Sequence, residues 1–210
     1  AVTFPMPGSY AVALTVTDSL GCTDTATVVV DVHAALQVVV SAPAVAQCTG
    51  DASVVATPSG GLAPFTFAWD VLTDDGAGTG SARFAFGTTR TATVTVTDAA
   101  GCTATATSAP ITINPQLALA LDPVTIDPCT GDVTLVARGN GGDGAYAHAF
   151  TSLVDDGTGR GSARLAPGAH TAQVTLTDGE GCTATASVDF VVPERLVGDF
   201  TWVVTYLSPG

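Results

Sequence analysis

A nine-residue phrase occurs three times in this chain of 210 residues, at a fixed spacing of 80 residues. The copies are TVTDSLGCT, TVTDAAGCT and TLTDGEGCT, and they end at Thr23, Thr103 and Thr183. A fixed long period indicates one folding unit copied in tandem, and a unit of this length can bury its own core. The chain is therefore predicted to be part of an array, with roughly two and a half units present.

The composition favours an all-β fold. Hydrophobic residues make up 46% of the chain and aromatic residues only 6%, so the apolar content is mostly Val, Ala, Leu and Ile. The abundant Val and Thr suit a pleated, half-buried surface better than a helix. The 23 Gly and 12 Pro are spread between short apolar runs, as the turns of a β protein require. The predicted class is all-β, with tandem immunoglobulin-like sandwiches of about 80 residues.

Aligning the copies predicts four segments. Residues 1–33 are the C-terminal half of a repeat, 34–114 and 115–195 are complete repeats, and 196–210 are the start of a further unit or a donated strand. Each complete repeat has a CTGD phrase, an alternating strand, a strand with aromatic residues, and a Gly-rich loop. The aromatic strand places apolar rings on one face because they recur at every second position. The expected core anchors on this strand are Phe65, Trp69, Tyr146 and Phe150.

The phrase PGSYAVALTVTDSLGCT at 7–23 resembles the closing hairpin of PKD-type immunoglobulin-like repeats. The CTGD phrase, the strand and Gly-Gly after it, and the Gly-Cys ending are similar to repeats of gliding adhesins and other large bacterial surface proteins. The resemblance covers both complete repeats and the half repeat, and it implies a sandwich fold on a cell surface. Two features depart from it: Trp69 is replaced by Phe150 in the next copy, and WDVLTDDG at 69–76 stands where the family has WDFGDG.

The two incomplete ends leave two explanations open. An incomplete sandwich exposes core residues and strand edges, which is costly. The chain can be a window of a longer array, or the tail of one molecule can complete the head of the next by strand donation. The residues of a possible inter-subunit strand alternate along the tail, and they are Phe200, Trp202, Val204 and Tyr206.

Five cysteines at repeat-locked positions predict disulfides and an oxidising, extracellular compartment. Two pairings remain open. Bonds can form within a repeat, as Cys48–Cys102 and Cys129–Cys182, or Cys48 can meet Cys182 of the next unit and link neighbours. Cys22 is expected to pair outside its half repeat.

The formal net charge of −13 argues against nucleic acid or an anionic membrane as a partner, and no apolar run is long enough for membrane insertion. No catalytic constellation is found, so no enzyme and no cofactor are predicted. The repeated Asp of the phrase is expected to cap its own turn. The DDG loops lack the alternating D-x-D spacing of a strong Ca²⁺ site, and their candidate ligands for this ion are Asp74, Asp75, Asp155 and Asp156.

The predicted function is structural: a segment of an extracellular bacterial surface stalk, sheath or filament. The expected partners are copies of itself or further repeats of the same polypeptide. The alternative is an adhesin or a carbohydrate-binding accessory module of a large secreted protein, which would hold surface polysaccharide. Trp202 and Tyr206 are the candidates for that contact, and an exposed coplanar pair of rings would favour it.

Overall fold

The computed structural model describes residues 2–195, and these form strands joined by turns. The predicted all-β class is confirmed. The described residues contain no helix of the length and hydrophobicity needed to cross a membrane. The chain divides into two compact units, Ala1–Ile113 and Asn114–Gly210, and the division falls one residue before the boundary expected from the repeat.

The first unit begins with a hairpin and continues into a sandwich. The hairpin is formed by β1 (Gly8–Thr17) and β2 (Thr23–Val32). The sandwich strands are β3 (Gln37–Val40), β4 (Ala44–Ala46), β5 (Asp51–Ser59), β6 (Thr66–Trp69), β7 (Thr73–Asp74), β8 (Thr79–Arg83), β9 (Thr89–Arg90), β10 (Thr93–Thr97), β11 (Thr103–Thr107) and β12 (Ile111–Thr112). One sheet has the order β3-β5-β8-β7, with β4 also paired to β5. The other has the order β11-β10-β6, and β12 pairs with β9.

The second unit repeats this arrangement with fewer breaks. Its strands are β13 (Ala118–Leu121), β14 (Thr125–Ile126), β15 (Asp132–Asn140), β16 (Tyr146–Phe150), β17 (Val154–Asp155), β18 (Arg160–Arg164), β19 (Gly168–Asp178) and β20 (Thr183–Val192). The sheets have the orders β13-β15-β18-β17, with β14 on β15, and β16-β19-β20. All pairs are antiparallel. Both complete repeats are therefore immunoglobulin-like sandwiches.

Period-two alternation places the core of each sandwich between its two sheets. In β5, Ala52, Val54 and Ala56 are buried, whereas Val55 between them is exposed. In β10 of the facing sheet, Val94 and Val96 are fully buried. The second unit has the same pattern, with Val133 and Leu135 of one sheet packed with Val174 of the other. Successive side chains of a strand point to opposite faces, so alternating sequences produce this two-layer core.

The aromatic residues of the third strand lie on the core side in both repeats. Phe65 and Trp69 are half-buried and pack against the core of the first sandwich, as Phe150 does in the second. Tyr146 is also half-buried, and its hydroxyl donates a hydrogen bond of 2.7 Å to the carbonyl oxygen of Gly141. These rings anchor the third strand to the opposite sheet.

Glycines on the facing strand make room for these rings. A Cβ on Gly80 of β8 would lie 2.7 Å from Cδ2 of Trp69 and 2.9 Å from Cβ of Leu72. A Cβ on Gly161 of β18 would lie 2.6 Å from Cδ1 of Phe150. Neither glycine has the left-handed conformation that would by itself require glycine. Close packing of β8 and β18 against an aromatic ring therefore explains why these two positions are glycines.

Candidate interaction surface

The repeated phrase closes a β-hairpin in all three copies. The β1–β2 register runs from Gly8 opposite Val32 to Thr17 opposite Thr23. The β19–β20 register is the same over positions 160 residues later, from Gly168 opposite Val192 to Thr177 opposite Thr183. The hairpin at the start of the chain is therefore the same element as the closing hairpin of a complete repeat.

The aspartate of the phrase holds the hairpin turn. One carboxylate oxygen of Asp98, Oδ1, accepts the N–H groups of Ala100 at 2.9 Å and Cys102 at 2.8 Å. The other oxygen accepts the N–H of Leu62 at 3.1 Å, which ties the turn to the loop after β5. Asp18 and Asp178 bind the equivalent N–H groups of their own turns. The aspartate therefore satisfies backbone donors that the turn would otherwise leave unpaired.

The hydrogen bonds of Asp98 also affect its ionisation. Burial acts to raise the pKa of this carboxyl group, but the N–H donors of Cys102, Leu62 and Ala100 outweigh burial and the pKa is lowered. A carboxylate that accepts several backbone hydrogen bonds favours its charged form. Asp98 is thus a structural anion in the turn that carries Cys102.

The within-repeat disulfide pairing is wrong in this structure. Cys102 and Cys129 are exposed free thiols, as is Cys22, whereas Cys48 and Cys182 are disulfide-bonded. The reason is the length of the second strand. Cys48 precedes the Asp51 end of β5, and the Asp98 turn lies beside the Leu62 end. Nine residues of strand separate these ends by about 26 Å, whereas a disulfide needs Cα atoms within about 7 Å.

The second unit has the same geometry. Cys129 lies before the Asp132 end of β15, and Asp178 lies against Gly142, which follows the other end of that strand. Cys129 and Cys182 are thus at opposite ends of their own sandwich. The other pairing considered, Cys48 with Cys182, stays a prediction.

The hairpin at the start of the chain exposes the face that complete repeats bury. Leu14 and Val16 of β1 are 65% and 58% exposed, and Val28 of β2 is 59% exposed. Their counterparts in β10, Val94 and Val96, are 0% exposed, as are those in β19, which are Val174 and Leu176. In the complete repeats a second sheet covers this face. Within residues 2–195, β1 has a strand neighbour only in β2.

The DDG loops use their carboxylates within their own turns. Oδ1 of Asp75 accepts the N–H groups of Ala77 at 2.8 Å and Thr79 at 3.0 Å, and these bonds lower its pKa. Asp156 is held in the same way by the hydroxyl and N–H of Thr158, which lower its pKa.

The neighbouring carboxylates in these loops belong to Asp74 and Asp155. Asp74 accepts the N–H of Gly76 at 3.1 Å. Asp74 and Asp155 are half-buried and occupy equivalent positions in β7 and β17. Among the described residues, no group of three or more His, Cys, Asp or Glu side chains is arranged to hold a metal ion.

The predicted inter-subunit strand lies outside the described residues. This concerns Phe200, Trp202, Val204 and Tyr206. Sequence reasoning missed the glycine positions that face the aromatic rings. The sequence does contain a signal for them, because Gly78 and Gly80 are two residues apart, as are Phe67 and Trp69 of β6. Within a Gly-rich segment, however, these glycines resemble ordinary loop residues.

The comparisons with known proteins gave structural similarities only. No protein-family model matches the chain, and no curated protein matches it. The chain is similar to the C-terminal 282-residue fragment of intimin, solved with the intimin-binding domain of the translocated intimin receptor. The identity is 13% and the TM-score 0.45, over 74% of this chain and 63% of that one. It therefore spans less than two thirds of the intimin fragment.

The chain is also similar to extracellular domains 3–5 of Drosophila OTK. Here the identity is 16% and the TM-score 0.45, over 90% of this chain and 72% of that one. The immunoglobulin-like fold of the present chain follows from its own two-sheet topology and strand order.

Proposed function

We propose that this chain is a structural segment of an extracellular surface stalk, sheath or filament, built from tandem immunoglobulin-like repeats of PKD type. The observation that carries the proposal is the β1–β2 hairpin. It has the strands and register of a complete repeat but exposes the face that a complete repeat buries. Three copies of this hairpin in one chain, two of them within complete sandwiches of matching strand order, suit a structural array.

The residues shared by the repeats support a mechanical, non-catalytic role without a cofactor. The repeated aspartate binds backbone donors of its own turn, and the Gly-rich segment accommodates aromatic rings. These roles maintain the scaffold. The net charge of −13 keeps a repetitive surface soluble and discourages edge-to-edge association with unrelated strands. The bonded Cys48 and Cys182 fit an oxidising, extracellular location.

The alternative role is an adhesin or accessory module that binds surface polysaccharide. Its aromatic candidates, Trp202 and Tyr206, lie outside the described residues. A glycan array probed with the full chain tests this role. Saturable binding that is lost in Trp202→Ala and Tyr206→Ala would favour it over the structural role.

The structural role is tested on the producing cells. An antibody against the folded chain, used in immunogold electron microscopy, should label regular fibres or a sheath that extends from the cell surface. Label confined to the cell interior, or a secreted protein that is never attached to a surface structure, would contradict the proposal.

A further inference from the structure

We propose that the turn containing the CTGD phrase holds the segment by which the chain leaves each complete repeat. The phrase spans 48–51 in the first repeat and 129–132 in the second. The inference rests on the proposed structural role and specifies how a repeat of this kind fixes the chain that follows it. It gives a role to a phrase that both complete repeats share.

The turn is firmly bonded within its own sandwich. In the second repeat, the N–H of Gly131 donates to the carbonyl oxygen of Asp127 at 2.8 Å, and its carbonyl oxygen accepts the N–H of Leu165 at 2.9 Å. The hydroxyl of Thr130 donates a hydrogen bond of 2.6 Å to Asp132. The first repeat has the equivalent bonds. The turn therefore offers a fixed surface to chain that passes over it.

In the second repeat, Arg195 binds this turn from beyond the last strand. Strand β20 ends at Val192, which is 2% exposed, and Arg195 follows this residue in the same chain direction. Nη2 of Arg195 donates a hydrogen bond to the carbonyl oxygen of Thr130, 65 residues earlier in the chain. A guanidinium presents its N–H donors in a fixed plane, so this contact also constrains the orientation of the group.

The two residues after Thr130 accommodate the same guanidinium. A Cβ on Gly131 would lie 2.7 Å from Nη2 and 3.5 Å from Cζ of Arg195, so a side chain at this position would displace the arginine. The pKa of Asp132 is lowered by hydrogen bonds with its own turn and with Arg164, and to a smaller extent by the charge of Arg195. Three consecutive residues of the phrase thus contact or attract the exit segment.

The first repeat has the same connection with donor and acceptor exchanged. Gln47, directly before the phrase, donates from Nε2 to the carbonyl oxygen of Thr112 at 3.1 Å, and this bond also joins residues 65 apart. Thr112 ends β12. The next residue, Ile113, is 1% exposed, and its Cγ2 is 3.9 Å from the position of a Cβ on Gly50. Pro128 stands directly before the second phrase and has no side-chain donor, so there the donor comes from the exit segment.

The two repeats therefore make one link with different residues. A single side chain that reaches a carbonyl oxygen can be incidental, whereas the same connection made from opposite directions indicates that the connection itself is required. Each bond removes conformational freedom from the residues that leave the sandwich. A stalk or filament needs this restriction, because freedom in every linker would accumulate along the array.

The test measures the order of the exit segment by NMR relaxation of backbone amides in the full chain. Arg195→Ala removes the donor. The matched controls are Glu194→Ala, in the same segment, and Arg160→Ala, which removes an exposed arginine of β18. In the wild type, the amides of residues 194 and 195 should have order parameters near about 0.85, as in β20, and Arg195→Ala should lower them below about 0.6. Both controls should keep the wild-type values.

A second measurement addresses the first repeat. The N–H of Ile113 is bonded to the carbonyl oxygen of Thr88 at 2.9 Å, so its hydrogen exchange reports local opening at the end of the sandwich. Gln47→Ala should accelerate this exchange roughly three- to tenfold, as expected for the loss of one hydrogen bond. The matched control is Gln37→Ala on exposed β3 positions, which should leave it unchanged.

Four results would overturn the inference. These are order parameters at 194 and 195 that are low already in the wild type, order parameters that stay high in Arg195→Ala, exchange at Ile113 that Gln47→Ala leaves unchanged, and a control that behaves like its paired variant. Unchanged amide signals of β20 show that Arg195→Ala is folded. If the protein labels surface fibres and one of these four results is obtained, only the link to the exit segment fails and the proposed structural role stands.

Discussion

The close contact of Gly80 with the ring of Trp69 leads to a stability prediction. In Gly80→Ala, the new Cβ would lie 2.7 Å from two ring carbons and 2.9 Å from Cβ of Leu72. Overpacking of this kind costs about 1–3 kcal/mol. Replacing glycine also reduces the freedom of the unfolded chain, which returns about 0.5–1 kcal/mol. Because all three contacts are shorter than 3.0 Å, the cost should lie in the upper part of its range, and the free energy of unfolding should fall by about 1–2 kcal/mol.

Calorimetry of the full chain measures this change. For a unit of about 80 residues, the expected loss corresponds to a decrease in Tm of about 5–15 °C. Gly161→Ala assigns the transitions, because its Cβ would lie against Phe150 in the other unit. Each variant should lower the melting temperature of its own unit.

The matched control is Ser81→Ala, which lies next to Gly80 on the exposed face of β8. Surface substitutions of this kind change stability by less than about 0.5 kcal/mol. If Gly80→Ala is as stable as Ser81→Ala, the explanation of the glycine by ring packing is refuted. A stabilised Gly80→Ala would mean that only the entropy of the unfolded chain matters at this position.

Three further predictions concern pH, the cysteines and the core. Because the pKa of Asp98 is lowered in the folded state, its contribution to stability is present near neutrality and is lost as the pH falls below about 4. The urea midpoints of the wild type and Asp98→Asn should therefore differ at neutral pH and converge in acid. A difference that stays constant with pH would contradict this. Alkylation of the unfolded, unreduced chain should label three cysteines and spare Cys48 and Cys182, so a peptide map showing label on either of these two would disprove the assignment. Val54→Ala should cost about 2–3 kcal/mol in urea unfolding, against less than about 1 kcal/mol for the neighbouring, 43% exposed Val55, and equal losses would contradict the burial pattern.

The features that depend on local pattern could be predicted from the sequence. The TxTDxxGC phrase predicted the hairpin and its capping aspartate, because Asp98 interacts mainly with its own turn. Alternation along 52–57 predicted a strand, and these residues lie within β5, where buried and exposed side chains alternate. Such features depend on residues that are close together in the sequence, so the spacing of residue types is enough to predict them.

The features that depend on distance between strands could not be predicted in the same way. Whether Cys48 meets Cys102 depends on which ends of β5 their turns lie beside, and sequence spacing leaves that open. Similarly, Gly80 had the appearance of a loop residue until the ring of Trp69 was placed against it. Both facts arise from packing between elements far apart in sequence.

The environment of the first hairpin differs from that of the other two, although its sequence does not. Strand β1 reads GSYAVALTVT, with apolar side chains on one face and small or polar ones on the other, and it contains no charge. Natural proteins protect an exposed edge with charges, proline or a bulge, and β1 has none of these. Leu14 and Val16 therefore have the pattern of residues on a covered face, although both side chains are more than half exposed. The sequence of the hairpin is thus that of a closing hairpin whose apolar face is covered within a complete repeat, as the fully buried Val94 and Val96 of β10 show.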